Sequence, residues 1–258
     1  MKNKGILVVS FGTTHKKSIE KTIAAVESKI EECYPDYVVK RAFTSSMIIK
    51  TMASRGEAVS SVTQALGMLL AQGVTEVYIQ PTHIIAGDEY EKLIKFAMNF
   101  RDRFEVLKIG KPLLCTMDDM FLVADIVSKN IEAQEDEALV FMGHGTEHPV
   151  NTVYAAMDYI FKERGCKNIF MGTVEAYPSL ENVAKMVKNS GYKKVALSPF
   201  MLVAGDHATN DMASDDEESW KTYFESMGME TRVIMKGLGE YLDIQEMYLE
   251  HIKRYLHI

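Results

Sequence analysis

The sequence predicts an α/β protein of two duplicated doubly wound domains, each with a four-stranded parallel sheet flanked by helices. Two observations carry this. Short apolar, β-rich runs alternate with longer amphipathic stretches along the whole chain, the pattern of parallel strands joined by crossover helices. The chain also repeats itself: GVTEVYIQPTHIIAGDEY (73–90) aligns without a gap on GYKKVALSPFMLVAGDHA (191–208), and SFGTTH (10–15) aligns on GHGTEH (143–148). Identical residues at Gly73/Gly191, Val77/Val195, Pro81/Pro199 and the Ala-Gly-Asp triplets 86–88 and 204–206 mark a common scaffold.

In the first copy, strands are expected at 5–10 (GILVVS), 37–43 (YVVKRAF), 75–80 (TEVYIQ) and 104–109 (FEVLKI). Amphipathic helices fall between and after them, at 16–33, 57–72, 88–102 and 118–132. Thr13 or Thr14 can cap the first of these, and Glu89 opens the third, where the helix dipole favours a carboxylate. The second copy repeats the series, with strands at 137–142 (EALVFM), 167–172 (KNIFMG), 193–198 (KKVALS) and 230–235 (ETRVIM). Its helices are expected at 150–164, 180–190, 215–227 and 240–256, with Pro149 near the first turn of the 150–164 helix and Ser214 capping the 215–227 helix. The polar stretch 132–137 divides the copies, giving domains 1–133 and 134–258. Right-handed crossovers bring the loops at the carboxyl ends of all strands in one copy to one sheet edge, where α/β folds bind ligands.

With 258 residues, 47% of them apolar, the chain can build two cores. A net charge of −7 without a dense Lys/Arg cluster gives no footprint for nucleic acid and no attraction to anionic membranes. No apolar stretch reaches the length of a membrane span, and the start MKNKGILVVSFGTTHKK is no signal peptide, so a cytoplasmic location is expected. Cys33, Cys115 and Cys166 are odd in number and far apart, which argues for reduced thiols rather than a disulfide framework.

Three metal-competent side chains follow three successive strands of the second copy: His144, Glu175 and His207. Taken singly, a His or Glu at a strand end usually caps or packs. Three at equivalent strand ends, with Phe11 and Glu89 standing in the first copy where the second has His144 and His207, point to a shared cation. Two imidazoles and a carboxylate suit Co2+, Fe2+, Ni2+ or Zn2+ and leave coordination positions open. The HGTEHP segment is not a zinc-protease helix, because Gly145 and Pro149 oppose helix there; His148 is expected in the turn. Backbone N–H groups near the 10–15 turn could hold an anion, although capping alone accounts for it. The turns carry neither GxGxxG nor GxxxxGK[ST], which weighs against nucleotide binding. The acidic run 205–220 is expected to be a solvated surface, the other reading being an entry path that gathers cations near His207.

The turn GHGTEHP with His144, the TVEAYPS segment with Glu175, and the paired HIIAGDEY and LVAGDHATND segments resemble the anaerobic cobalt chelatases of cobalamin biosynthesis, over essentially the whole chain. The resemblance implies a chelatase-like fold, with strand order 2-1-3-4 in each sheet and a cleft between the domains. The switch point of that order lies between the strands followed by His144 and His207. It also implies insertion of Co2+ into sirohydrochlorin, with the metal as substrate and no permanently bound cofactor; Fe2+, Ni2+ or Zn2+ would enter the same ligands in vitro. His144 corresponds to a metal-binding, proton-accepting histidine, Glu175 and His207 to the other metal ligands, and Glu89 to a catalytic acidic residue on the opposite wall. Ser10, Phe11, Gly12 and Thr13 correspond to a turn beside the macrocycle. A zinc hydrolase built on the same His2Glu set, and a tetrapyrrole carrier without catalysis, remain the alternative readings; a homo-oligomer is left open.

Overall fold

Each apolar run assigned as a strand becomes one, the inner strands buried and most of the edge strands only partly so. In the computed structural model, which describes residues 3–131, 134 and 136–256, the first four strands are β1 (Lys4–Ser10), β2 (Val38–Phe43), β3 (Glu76–Pro81) and β4 (Val106–Ile109). They form one parallel sheet of order β2-β1-β3-β4. The second set is β5 (Glu137–Gly143), β6 (Ile169–Thr173), β7 (Lys194–Pro199) and β8 (Glu230–Val233), in the matching order β6-β5-β7-β8. The register repeats as well. Val9 pairs with Pro81 as Met142 pairs with Pro199, so Phe11 and His144 each leave their sheet one residue past an equivalent strand end.

Ten α-helices flank these strands among the described residues: α1 (Lys16–Lys21), α2 (Ile23–Cys33), α3 (Ser46–Ser54), α4 (Val62–Ala71), α5 (Asp88–Met98), α6 (Met117–Asn130), α7 (Thr152–Glu163), α8 (Leu180–Asn189), α9 (Trp220–Ser226) and α10 (Leu242–Leu256). Several differ from the sequence expectation. The helix expected at 16–33 is broken at Thr22, whose backbone (φ −122°, ψ −80°) leaves the helical region while its hydroxyl donates to the Ser18 carbonyl at 2.5 Å. Neither Thr13 nor Thr14 caps α1. His15 holds the cap position without a side-chain bond, and Thr13 Oγ1 accepts the His15 N–H at 3.3 Å. Ser219, not Ser214, caps α9, accepting the Thr222 N–H at 3.1 Å, so that helix begins five residues later than expected. The α3 helix was not anticipated; Ser45 caps it through the Ile48 N–H.

The chain divides into two compact units, Met1–Cys115 with Leu242–Ile258, and Thr116–Tyr241. This differs from the predicted 1–133/134–258 boundary, because two helices change sides. The C-terminal α10 packs on α2 and β3 of the first unit, and α6 packs on α7 of the second. Tyr248 anchors α10 by donating to the Thr82 carbonyl at 2.8 Å. Residues 132, 133 and 135 of the predicted linker lie outside the described residues.

Each unit has its own apolar core. In the first, Leu7 and Val9 of β1 pack with Leu66, Leu69, Ile79 and Leu93; in the second, Val140 and Met142 of β5 pack with Phe170, Val183, Leu197 and Phe224. Fully burying one such side chain contributes about 1.5–3 kcal/mol, so these layers hold the strand ends in place. Cys33, Cys115 and Cys166 form no disulfide, Cys33 being exposed. Among the described residues no helix is long and apolar enough to cross a membrane.

Candidate metal centre

In the second unit, the loops leaving β5, β6 and β7 are tied together by main-chain bonds. Val174 N–H donates to the Gly143 carbonyl at 3.0 Å and Glu175 N–H to the His144 carbonyl at 2.9 Å, which extends the β5–β6 pairing past the strands. Phe200 N–H donates to the Met142 carbonyl at 2.7 Å and does the same on the β7 side. Each bond fixes the loop that carries a predicted ligand.

Two glycines make the β5 turn possible. A Cβ on Gly143 would meet the Tyr154 ring at 2.3 Å, and Gly145 sits at φ +85°, where its Cβ would lie 2.9 Å from the Ala176 nitrogen. Left-handed backbone of this kind costs a residue with a Cβ roughly 1–2 kcal/mol. Tyr154 closes the turn from beneath. Burial pushes its hydroxyl up to about 12, with hydrogen bonds from the Gly145 and His144 backbone acting in the opposite direction.

His144, Glu175 and His207 converge. One ligand atom from each lies within 4.8 Å of the others. His144 Nδ1 is 3.6 Å from Glu175 Oε2, and the two imidazole rings meet with centroids 4.6 Å apart and planes at 87°. His144 Nδ1 also lies 2.9 Å from the Gly145 carbonyl oxygen. A carbonyl only accepts, so Nδ1 carries the hydrogen and Nε2 presents the lone pair. His207 Nδ1 is 2.8 Å from Asp211 Oδ2, which assigns it the same tautomer. In both rings Nε2 is thus the nitrogen that carries the lone pair.

His207 opens an unanticipated π-helical turn, Ala208–Met212, which brings Asp211 back against its ring. Asp211, which lies within the acidic run 205–220, is thereby a partner of a candidate ligand rather than plain solvated surface. Part of that run fits the expectation: Asp215 is exposed and pairs with Lys221 at 2.6 Å. The available signal for Asp211 was its spacing of four residues from His207. His148 lies in the turn, as expected. Its Nδ1 accepts the Val150 N–H at 3.1 Å and caps the short 3-10 helix Pro149–Asn151.

The remaining predicted site residues belong to the first unit. Ser10 is buried and its Oγ accepts from Thr82 Oγ1 at 2.7 Å; Thr13 is buried as well. Phe11 is 41% exposed, and Gly12 is held at φ +105° against the Phe43 ring. Glu89 stands in the first turn of α5, with Oε1 3.5 Å from Lys92 Nζ and Oε2 buried without a hydrogen-bond partner. His83, two residues past β3, was passed over in the sequence. Both its ring nitrogens are buried and unpartnered, and burial lowers its pKa from 6.5 to about 4, partly offset by the nearby Glu89 carboxylate.

Fold and donor set together define a class: a duplicated α/β protein with a candidate His2Glu cation site at the switch point of its second sheet. A family model described as cobalt chelatase (CbiK) matches residues 4–257, and the chain belongs to that family. It is 39% identical over 257 residues to the sirohydrochlorin cobaltochelatase of Salmonella typhimurium, covering 99% of this chain and 97% of that one. It is 34% identical to the sirohydrochlorin cobaltochelatase CbiKC of Nitratidesulfovibrio vulgaris, covering 98% and 90% of the two chains. Among solved structures, SirB from Bacillus subtilis with Fe3+ has the same fold, with a TM-score of 0.67 at 15% identity over 98% of this chain and 95% of that one.

Proposed function

We propose that this protein inserts Co2+ into sirohydrochlorin, giving cobalt-sirohydrochlorin in the early-cobalt, anaerobic route to cobalamin. The observation that carries this reading is the donor set: two imidazole nitrogens and a carboxylate oxygen within 4.8 Å of one another. Kinship with two sirohydrochlorin cobaltochelatases supplies the substrate.

The site suits a cation that must leave again. Three protein ligands leave coordination positions for the macrocycle nitrogens. The side chains of His144, Glu175 and His207 are 38%, 53% and 35% exposed, so water reaches them and an ion there can exchange. Asp211 fixes the His207 ring and raises its basicity as a ligand, the arrangement usual for metal-binding imidazoles. Insertion needs the ion stripped of water and two pyrrole protons removed. A nitrogen that holds the ion cannot take a proton at the same time, so His144 accepts one only as the metal departs, and Glu89 is the other acceptor in this reading. Ser10, Phe11, Gly12 and Thr13 contact the macrocycle from the first unit. Co2+ and the tetrapyrrole are substrates, no cofactor stays bound, and the reaction takes place in the cytoplasm.

The test is an anaerobic absorbance assay of the purified protein with sirohydrochlorin and Co2+, Fe2+, Ni2+ or Zn2+ in turn. The expected result is conversion to the metallated spectrum, fastest with Co2+. A tightly retained zinc with ester or amide hydrolysis would replace the reading by a hydrolase, and tetrapyrrole binding without metallation would replace it by a carrier.

A further inference from the structure

We propose that His83 is the proton partner of Glu89 at the carboxyl edge of the first sheet, the pair together accepting one of the protons released from the tetrapyrrole. The step rests on the chelatase reading above.

The backbone on either side of His83 is pinned within the first unit. Thr82 N–H donates to the Val9 carbonyl and the Thr82 carbonyl accepts from Tyr248, each at 2.8 Å, while the His83 carbonyl accepts the Leu113 N–H at 2.9 Å. This main chain holds the imidazole in place, yet both of its nitrogens are buried and unpartnered, as is Glu89 Oε2. A buried polar atom left unsatisfied costs about 1–3 kcal/mol. Three such atoms on two electrostatically coupled side chains are the mark of a place where something else completes the bonding.

The chemistry favours a proton donor over a cation. Among the described residues, neither His83 nor Glu89 belongs to a group of three or more metal-type donors, so an ion held by the pair would lack a third side chain. A carboxylate beside a neutral imidazole is instead an acceptor set for N–H. In the step, a pyrrole N–H bond breaks and its electron pair stays on the ring nitrogen for the incoming metal. The proton passes to the Glu89 carboxylate, and a turn of the resulting acid about its side-chain bonds brings its O–H to the unprotonated nitrogen of His83, a bond the resting structure does not contain. The pair begins with one negative charge and ends neutral, a favourable direction for buried groups. His83 therefore acts through Glu89 as a positioning residue.

The duplicated scaffold gives the same division. In the aligned second copy, Met201 stands opposite His83 and His207 opposite Glu89. The metal-ligand set occupies the second copy, and Glu89 with His83 adds a proton acceptor in the first.

The experiment compares wild type, His83→Met and His83→Asn in anaerobic Co2+ insertion, with circular dichroism and thermal melting to verify the fold. Methionine is the residue at the sister position. His83→Met is expected to lower kcat about tenfold or more while KM for Co2+ stays the same, and His83→Asn, whose amide oxygen can accept from the acid, should recover part of the loss. In a Glu89→Gln background, His83→Met should add less than about twofold, as expected for residues that act as one unit. A folded His83→Met enzyme with wild-type kcat, or losses that multiply in the double variant, overturns the proposal. A wild type that metallates nothing overturns the functional reading and this step with it. Nitrogen-15 NMR of the His83 ring then still decides the pairing: its signals shift in Glu89→Gln if the two are partners and stay in place if they are not.

Discussion

The imidazole rings of His144 and His207 meet edge to face, 4.6 Å between centroids, although 62 residues separate them in the chain. Adjacent strands β5 and β7 deliver them, and Glu175, following β6, adds its carboxylate from the other side of β5. The carboxylate is the only anionic member of the set. Glu175→Gln should therefore weaken Co2+ binding about tenfold or more with no change in folding, because a neutral amide oxygen is a poorer ligand for a divalent ion. Titration of Co2+ followed by its visible absorption measures this.

Asp211 is predicted to matter through His207 alone. Asp211→Asn removes the charge that holds Nδ1–H, and loss of such an outer partner typically costs 10–100-fold in metal affinity. The same titration should show a loss on the order of that range, with an unchanged melting temperature. Ligand binding unaffected by the change would mean that the π-helical turn is structural only.

Gly145 and Gly165 offer an internal control. Both sit at φ +85°, but a Cβ at 145 would meet the Ala176 backbone at 2.9 Å, whereas at 165 it would meet nothing within 4 Å. Gly165→Ala should lose about 1 kcal/mol from backbone strain alone. Gly145→Ala should lose more, and should also weaken Co2+ binding by shifting the loop that carries Glu175. Urea denaturation of the two variants reads the difference.

His83 predicts a pH dependence of stability. Its folded pKa of about 4 lies below the ordinary 6.5, through burial first and despite the Glu89 carboxylate. The unfolded chain therefore binds the proton more readily between these values. The contribution is fully present above pH 6.5 and is lost as pH falls toward 4, to a total of about 3 kcal/mol. Melting curves of wild type and His83→Met should converge in slope above pH 6.5, and wild type alone should show this extra fall below it.

The strands were legible because each is a short β-rich run bounded by turn residues and the duplication repeats the series, while their order within each sheet came from the family resemblance. The three candidate ligands were legible for the same reason: topology alone brings three successive strand ends to one edge. What the sequence hid was local. The α3 helix, SMIIKTMAS, is too short for its apolar spacing to stand out. The break at Thr22 depends on a backbone conformation that no composition signals. The π-helical turn that aims Asp211 at His207 follows no residue period, and the exchange of α6 and α10 between units depends on which sheet buries each helix. His83 escaped because its significance lies in the bonds it does not make.

The central claim is that His144, Glu175 and His207 hold the cobalt that is inserted. The most direct measurement is the anaerobic rate of Co2+ insertion into sirohydrochlorin by wild type and by a His144→Ala/His207→Ala double variant whose fold is verified. The account predicts that the double variant falls to the uncatalysed background while still folding. Insertion at the wild-type rate by that variant would contradict it.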